Sequence, residues 1–471
     1  MQPIWAEWCA SRICGLSRDK VLRSLRTVEP GRGASLHVAE ATLAQWAADE
    51  PSTGDWGTSA SPPCVPTCEL VSFSSNDYLG LGAHRSVRAA AASAAARHGC
   101  GPRSSALLCG YTTMHRELES GLASLKGTEE ALLFPTGYAA NLSVLGTLLT
   151  GGGGGSGVEL FSDELNHASI IDGARLATRG AGGAALSIYR HADYEHLEKL
   201  LRASEAPLKV IVSESLFSMD GDPADVPRLA TLRKEHGALL VLDEAHASLT
   251  YGSSGGGVAE AAGVSEQVDV HVGTLSKAFG SHGGFVACSA ALKQLLLSTG
   301  RAGMFSTALP APAVAAASAA LRHATPRLRA QLWHNVKALE AATGLRATAQ
   351  KRAGDERVGA WSLREGGLPM GSLQRCSPIF PVIIGSSADA LAVSSALLGL
   401  GLHVPAIRPP TVAQGSARLR IAVSATHTAE QIERLARALQ KHAPAAVSAA
   451  HQIAAEPPHA QDRSQEHRDV R

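Results

Sequence analysis

Two stretches of the chain decide its fold: ALLVLDEAH at residues 238–246 and VDVHVGTLSKAFG at residues 268–280. Each is an apolar run that stops at polar residues. Asp243 and His246 follow the first run, and Lys277 follows the second. Continuous apolar runs are typical of strands buried on both faces, as in parallel sheets. Because ligand-binding groups of such sheets gather at the carboxyl ends of the strands, we expect these three residues to share one edge of a buried sheet.

The same pattern extends outward in both directions. Short apolar runs alternate with helical stretches between about residues 105 and 320, at Ala131–Phe134, Val158–Phe161, Leu186–Tyr189, Val210–Val212, Ala238–Leu242, Val268–Val272 and Phe285–Cys288. Alternating strands and helices predict an α/β fold with a mostly parallel, seven-stranded sheet covered by helices.

After about residue 325 the pattern changes, with apolar runs at Pro378–Ile384, Leu402–Ile407 and Leu419–Val423. This change predicts a smaller C-terminal α+β domain. Its last helix begins with a capping box formed by Thr428 and Gln431. The apolar residues of this helix fall on one face, and they are Ile432, Leu435, Ala436 and Leu439. We predict an N-terminal arm at 1–70, a large domain at 71–322, a small domain at 323–443 and a solvated tail at 444–471.

Composition limits the possible partners. The chain has 471 residues, with 43 Lys and Arg against 42 Asp and Glu, so no excess positive charge is available for nucleic acid. No apolar stretch has the roughly 20 residues of a membrane helix. The eight cysteines contain no Cys-x-x-Cys pair, so the sequence predicts no metal site. Without a recognisable leader, the expected compartment is the cytoplasm.

Asp243 and Lys277 together point to pyridoxal 5'-phosphate. A lysine carries the aldehyde of that cofactor, and a carboxylate keeps its ring nitrogen protonated so that the ring can accept electrons. Lys277 lies between Leu275 and Phe279, where desolvation lowers the pKa of an amine. Taken alone, Asp243 is equally well explained as a cap of the next helix. An ATPase of the helicase type is excluded, because the chain has no Gly-Lys pair of a phosphate loop.

The phosphate of such a cofactor needs a cradle, and FPTGYAAN at residues 134–141 is a candidate. The run predicts a strand, a glycine that lets the backbone approach closely, and a helix whose first N–H groups favour an anion. Hydroxyl groups of Thr274 and Ser276, and of Ser306 and Thr307, are candidates for the rest of the shell. His167 is available to stack on the ring, although a lone histidine is more often simply packed in the core.

Six ordered motifs resemble those of the α-oxoamine synthases, which are class-II, fold-type-I enzymes that depend on pyridoxal phosphate. The motifs are SSNDYLG at 74–80, GYAAN at 137–141, NHAS at 166–169, FSMDGD at 217–222, DEAH at 243–246 and TLSK at 274–277. The resemblance runs from about residue 20 to 442. It implies a large domain with the cofactor and a homodimer whose active sites lie at the subunit interface.

The resemblance also implies a role for each matching residue at the cofactor. Lys277 would carry the Schiff base and move the substrate Cα proton, and Asp243 would hold the pyridinium. His167 would stack on the ring, with His246 and Ser218 near the ring hydroxyl. Gly137, Tyr138 and Thr274 would hold the phosphate region, which Thr307 would reach from the partner subunit.

The substrate side is implied by AIRPPTV at 406–412 and ARLR at 417–420. These segments are most similar to the branch of the family that condenses L-alanine with pimeloyl-CoA, or with an acyl-carrier-protein thioester, in biotin biosynthesis. Arg408 would bind the amino-acid carboxylate, because its planar fork matches that group. Thr411, Asn76 and Arg23 would be further substrate contacts.

Other branches of the same family stay open from the sequence. Glycine C-acetyltransferase, 5-aminolevulinate synthase and serine palmitoyltransferase share the cofactor site and differ only in their acyl and amino-acid pockets. A noncatalytic subunit is the alternative from a different class. The presence of both Lys277 and Asp243 argues against it.

Overall fold

The computed structural model describes residues 2–18, 22, 25–47, 67–149, 157–178, 184–345 and 376–448. The strands are β1 (Glu29–Pro30), β2 (Ser35–Ala39), β3 (Thr67–Ser72), β4 (Glu130–Phe134), β5 (Val158–Asp163), β6 (Ala185–Tyr189), β7 (Leu208–Glu214), β8 (Leu239–Asp243), β9 (Val270–Thr274), β10 (Gly284–Cys288), β11 (Ile379–Gly385), β12 (Leu402–His403), β13 (Ala406–Ile407) and β14 (Ala417–Ala422). The α-helices are α1 (Pro3–Arg18), α2 (Glu40–Ala47), α3 (Arg85–His98), α4 (Thr113–Lys126), α5 (Gly137–Leu149), α6 (Ala168–Thr178), α7 (Tyr194–Ala203), α8 (Val226–Glu235), α9 (Val258–Ala261), α10 (Ala290–Thr299), α11 (Arg301–Met304), α12 (Ala311–His323), α13 (Pro326–Thr343), α14 (Ser387–Gly399) and α15 (Ala429–His442).

The central sheet has seven strands in the order β4-β10-β9-β8-β7-β5-β6. Strands β9, β8, β7, β5 and β6 pair in parallel, whereas β10 is antiparallel to both of its neighbours. All seven strands predicted from the apolar runs are present, so the predicted sheet is confirmed. In the register, Glu214 lies opposite Asp243 and Asp243 lies opposite Val272. The carboxyl ends of β7, β8 and β9 are therefore side by side.

The sheet is buried on both faces, as its apolar runs predicted, except at the edge strand β6, where Leu186 and Ile188 are 37% and 57% exposed. Along β8, Leu240 and Leu242 belong to one hydrophobic cluster and Val241 to another. All three side chains have no exposed surface. Successive residues of a strand point to opposite faces, so the two clusters are the two layers that hold the sheet. None of the helices in the described part of the chain is long and apolar enough to cross a membrane.

A three-stranded antiparallel sheet, β11-β14-β13, forms the core of the C-terminal region. The single strand expected at Leu402–Ile407 is wrong: the structure has two short strands in different sheets. β12 pairs with β3, whereas β13 pairs with β14. Pro405 lies between them, and a proline cannot donate to a strand ladder, which explains why the run is divided there.

Apart from helix α1, which buries none of its residues, the described part of the N-terminal segment is joined to the rest of the fold. Strand β3 crosses the boundary predicted at residue 70, and it lies between β2 and β12 in a four-stranded sheet. β12 comes from the C-terminal region, so this sheet ties the two ends of the chain together. Arg23 and the glycine runs at 151–155 and 180–183 lie outside the described residues.

The last helix, α15, has the predicted capping box of Thr428 and Gln431. Its predicted apolar face is buried as well, at Ile432, Leu435, Ala436 and Leu439. The chain is still helical at 444–448, and Val447 is buried. The solvated tail predicted from residue 444 is therefore wrong at Val447, which packs into the same core as α15, whereas residues 444, 445 and 448 are exposed.

Candidate active site

Asp243 ends strand β8 and is almost fully buried. Its Oδ2 accepts a hydrogen bond from Asn141 Nδ2 at 2.7 Å, and its Oδ1 accepts one from the N–H of Ala245 at 2.9 Å. A buried carboxylate is stable only when donors or cations surround it. Each oxygen of Asp243 has one donor here, which holds the carboxylate in a fixed orientation.

Lys277 follows β9, the next strand of the sheet. The residue as a whole is partly exposed, but its amine lies among enough protein atoms for burial to lower its pKa to about 8. The charge of Arg420 lowers this pKa further, while Asp243 and Glu214 act in the opposite direction. Roughly a tenth of Lys277 is therefore a neutral amine at pH 7, far more than for a lysine with an unshifted pKa, and the neutral amine is the nucleophilic form.

Glu214 is a second buried acid at this edge, and sequence reasoning missed it. It ends β7 directly beside Asp243. Burial raises the pKa of Glu214 well above its usual range, and the charge of Asp243 acts in the same direction. Burial therefore favours the protonated form of Glu214, whereas the nearby Lys277 amine favours the charged form. The signal that could have revealed it is an acidic residue at the end of an apolar strand, the same feature that marked Asp243.

His167 lies just before α6, with Nδ1 2.8 Å from the hydroxyl of Ser169. Its side chain is exposed, but enough protein surrounds the ring for burial to lower its pKa, and the charge of Lys277 acts in the same direction. Ser169 in turn accepts a hydrogen bond from Asn141 Nδ2 at 2.9 Å. The structure thus links His167 to Asp243 through two buried side chains.

His246 is buried and contacts Tyr78, with 2.7 Å between Nδ1 and the phenol oxygen. Burial lowers the pKa of His246 well below its usual range, helped by the charges of Lys277 and Arg420. The ring is therefore neutral. Because the phenol is much closer to His246 than to Asn76 Oδ1, which is 3.4 Å away, we assign the phenol proton to Nδ1. Nε2 is then the N–H donor of His246.

Arg420 connects several of these groups, and it too was not singled out from the sequence. It lies on β14 and is buried. Its Nε donates to the carbonyl of Ser218 at 2.6 Å, and both terminal nitrogens lie 3.2 Å from Asn76 Oδ1. The C-terminal region therefore reaches the large sheet through this guanidinium. Two buried arginines, at 418 and 420 of an otherwise apolar strand, were the available signal.

The predicted phosphate cradle is formed where α5 begins. Thr136 caps the helix, since its Oγ1 accepts the N–H of Ala139 at 3.0 Å. A Cβ atom placed on Gly137 would lie 3.2 Å from Cβ of Thr274, so a larger residue would fit between the helix and β9 only if Thr274 moved by a few tenths of an ångström. Thr274 Oγ1 and Ser276 Oγ are 2.8 Å apart at the same place. Tyr138 is largely exposed, and its hydroxyl donates to Asp172.

The remaining predicted residues lie away from these hydrogen bonds or outside the described chain. Arg408 follows β13 and is 9% exposed, while the exposed Thr411 donates its N–H to the Arg408 carbonyl at 3.1 Å. Thr307 is exposed and forms an isolated bridge with Ser105. Arg23 is not among the described residues. The roles of these four residues stay predictions.

Comparison with known proteins agrees with this fold. The family model for aminotransferase class I and II matches residues 69–439. The chain belongs to that family. Among curated proteins, it is 44% identical to an 8-amino-7-oxononanoate synthase of Arabidopsis thaliana over 84% of this chain and 81% of the relative. An enzyme of the same name from Anaeromyxobacter dehalogenans is 46% identical over 77% of this chain and 84% of the relative. Within the family, the chain groups with the 8-amino-7-oxononanoate synthases.

Solved structures give the same fold. A serine palmitoyltransferase from Sphingomonas wittichii superimposes with a TM-score of 0.70 at 32% identity, covering 80% of this chain and 88% of that one. A serine palmitoyltransferase from S. paucimobilis, with a bound pyridoxal phosphate–myriocin adduct, has the same TM-score and coverage at 31% identity. An 8-amino-7-oxononanoate synthase from Francisella tularensis has a TM-score of 0.61 at 24% identity, which supports the fold alone.

Proposed function

We propose that this chain uses pyridoxal 5'-phosphate to condense L-alanine with a pimeloyl thioester, with loss of carbon dioxide, to give 8-amino-7-oxononanoate for biotin biosynthesis. The observation that carries the proposal is the convergence of Lys277 and Asp243 at the ends of two adjacent strands. The names of the curated relatives support the particular product.

The residues at this edge of the sheet fit the cofactor. Asp243 is an acceptor fixed by two N–H donors, which suits a protonated ring nitrogen. The close approach of Gly137 to Thr274 leaves backbone N–H groups and hydroxyls together at a helix N-terminus, which suits a phosphate. Lys277, with its lowered pKa, suits a covalent bond to an aldehyde.

When bound, the cofactor supplies an electron sink for breaking bonds at the substrate Cα. The chain supplies the rest. Lys277 holds the cofactor and then, as a free amine, removes and returns the Cα proton. His246 would donate a hydrogen bond from Nε2 to the cofactor, and Ser218 would be a further contact. Arg408 binds the substrate carboxylate and so decides which bond at Cα is aligned for cleavage.

We also propose that the active form is a homodimer. Leu107, Leu108 and Phe305 are large apolar side chains that are 51%, 80% and 68% exposed. They flank the bridge between Ser105 and Thr307. A second copy that covers this surface would remove it from water and bring Thr307 to the partner's cofactor phosphate, as the family pattern implies. Leu108→Asp should then shift the sedimentation coefficient to that of a monomer.

The purified protein tests the proposal directly. Its visible absorbance reports the bound cofactor, and a thiol reagent reports the release of CoA with L-alanine, glycine or L-serine and a panel of acyl-CoAs. Thiol release that requires both L-alanine and pimeloyl-CoA is the expected result. A preference for glycine or L-serine with another acyl-CoA would move the chain to a different branch of the family. Absence of any visible band after addition of the cofactor would contradict the whole proposal.

A further inference from the structure

Asn141 lies at the centre of the candidate site, although the proposed reaction gives it no role. It is on the second turn of α5 and is 2% exposed. Its Nδ2 donates one hydrogen bond to Asp243 Oδ2 at 2.7 Å and one to Ser169 Oγ at 2.9 Å. Because an amide nitrogen has two protons, these two bonds use both of them.

The polarity of these bonds fixes the protonation of their neighbours. Ser169 Oγ accepts from Asn141, so the hydroxyl proton is free to go to His167 Nδ1, 2.8 Å away. His167 Nδ1 is then an acceptor, and it also faces the N–H of Ser169 at 3.2 Å. The proton of the neutral ring is therefore on Nε2. In this series of hydrogen bonds, a donor therefore points toward Asp243 at one end and another points toward His167 at the other.

The orientation of the Asn141 amide leaves one of its atoms unpaired, and this indicates which contact determines the orientation. Asn141 Oδ1 is buried without a hydrogen-bond partner, and such an atom is unfavourable. Rotating the amide would turn Oδ1 toward Asp243 and place two acceptors against each other. The orphaned oxygen is retained because Asp243 Oδ2 is an acceptor and requires a donor on that side.

We propose that Asn141 is a positioning residue that holds Asp243 as an oriented carboxylate and, through Ser169, holds His167 as a neutral ring in its Nε2–H form. The inference rests on the proposed function, since it assigns both groups to pyridoxal phosphate. It explains why an asparagine is required at 141. Aspartate would bring a second carboxylate against Asp243, and leucine would offer no donor at all.

The test compares three variants with the wild-type protein. Asn141→Leu removes both donors, Asn141→Asp keeps the shape but reverses the polarity, and Ser169→Ala cuts only the branch to His167. Thr147→Val is the matched control. Thr147 is on the same helix, is 3% exposed, and bonds to Thr299 Oγ1 at 3.0 Å, away from this chain of contacts. The control therefore loses a buried hydrogen bond of α5 without altering Asp243.

Two quantities are measured without substrate: the dissociation constant for pyridoxal phosphate and the pH midpoint of the bound cofactor's visible absorbance. Loss of one hydrogen bond to a charged group should weaken cofactor binding roughly 10- to 100-fold in Asn141→Leu. Asn141→Asp should weaken it at least as much. Both should shift the pH midpoint by at least about half a unit. Ser169→Ala should shift the midpoint less, and Thr147→Val should match the wild type.

The inference would be overturned if both Asn141 variants bound pyridoxal phosphate with the wild-type dissociation constant and showed the wild-type pH midpoint. If they also lost only as much thermal stability as Thr147→Val, Asn141 would be a structural residue. If Asn141→Leu does not fold, Asn141→Asp and Ser169→Ala still decide the question. A wild-type protein that binds no pyridoxal phosphate would instead refute the proposed function, and the two failures are therefore distinguishable.

Discussion

Two acidic residues follow one another at the end of β8, and the structure places them in opposite settings. Glu244 has no exposed side-chain surface and lies 2.7 Å from Lys126 Nζ and 3.0 Å from His271 Nδ1. It also accepts the N–H of Ala259 at 3.1 Å. Although burial acts in the opposite direction, these partners hold the pKa of Glu244 at about 2. Its charge is fully balanced inside the core.

Asp243 has no such cation in contact. It accepts N–H groups from Asn141 and Ala245 and lies at the carboxyl edge of the sheet, where the charge of Asp243 acts on Lys277 and Glu214. Neighbouring residues of a strand end point to different sides. The comparison teaches that the end of one strand can place one carboxylate, Asp243, in the candidate active site and the next, Glu244, in the core behind it.

The largest effect on turnover should come from substitution of Lys277 in the candidate active site. Lys277→Ala removes both the covalent attachment and the base, so turnover should fall by at least about 10⁴-fold, the upper range for a general base. Thiol release measures it. Lys209→Ala is a control. Lys209 lies at the start of β7, and its amine donates a hydrogen bond to the carbonyl of Leu201 on α7. Residual turnover within tenfold of wild type would refute the assignment.

Asp243→Asn should be next in size. The amide keeps the shape of Asp243 but has no negative charge to keep a ring proton in place, so we expect kcat to fall roughly 10²- to 10⁴-fold. Its NH2 group would face the N–H of either Asn141 or Ala245, so stability should fall by about 1–3 kcal/mol, less than for Glu244→Gln. Steady-state kinetics and calorimetry measure the two effects. A large drop in melting temperature with near-normal kcat would reverse the proposed contrast between Asp243 and Glu244.

Glu244→Gln should show the opposite pattern. It leaves Lys126 buried without its counter-charge, which typically costs about 3–5 kcal/mol of stability. Denaturant unfolding at pH 7 measures the loss, and Lys126→Met, the converse half of the pair, should lose a similar amount. The kcat of the folded fraction should stay within a few-fold of wild type. A stable Glu244→Gln protein with low kcat would contradict a structural role.

The pH dependence of stability sharpens the same contrast. The pKa of Glu244 in the folded protein is about 2, below its usual value of 4.5. Its contribution to stability is therefore present above pH 4.5 and is lost as the pH falls toward 2. The difference in unfolding free energy between wild type and Glu244→Gln should accordingly shrink over this interval. A constant difference down to pH 2 would count against the depressed pKa.

The smallest effect concerns Lys277 before any cofactor is bound. With its pKa at about 8, the neutral amine becomes more abundant as the pH rises toward 8. The rate of cofactor attachment to the cofactor-free protein should therefore rise between pH 6 and 8, by up to about tenfold per unit, and level off above. Stopped-flow absorbance measures it. A rate that keeps rising up to pH 10 would mean an unshifted lysine.

Much of this contrast was visible in the sequence, and some of it was hidden. Asp243 and Lys277 could be found because each follows a largely apolar run that predicts a strand. Glu214 has the same signal and was passed over, because neither run nor motif says that it lies beside Asp243. Arg420 was hidden for a different reason: its partners, Ser218 and Asn76, are about 200 and 344 positions away along the chain.

The sequence by itself determined the seven buried strands, the capped last helix and the pairing of a lysine with a carboxylate. These features depend on local hydrophobic pattern and on chemistry that neighbouring residues specify. Only the tertiary structure decided that Asn141 connects Asp243 to His167. It also decided that the short strands on either side of Pro405 belong to different sheets. Finally, it decided that Glu244 contacts Lys126 whereas Asp243 lies in the candidate active site. Each depends on contacts between residues far apart in the chain, and on burial, which sets pKa values only once the chain has folded.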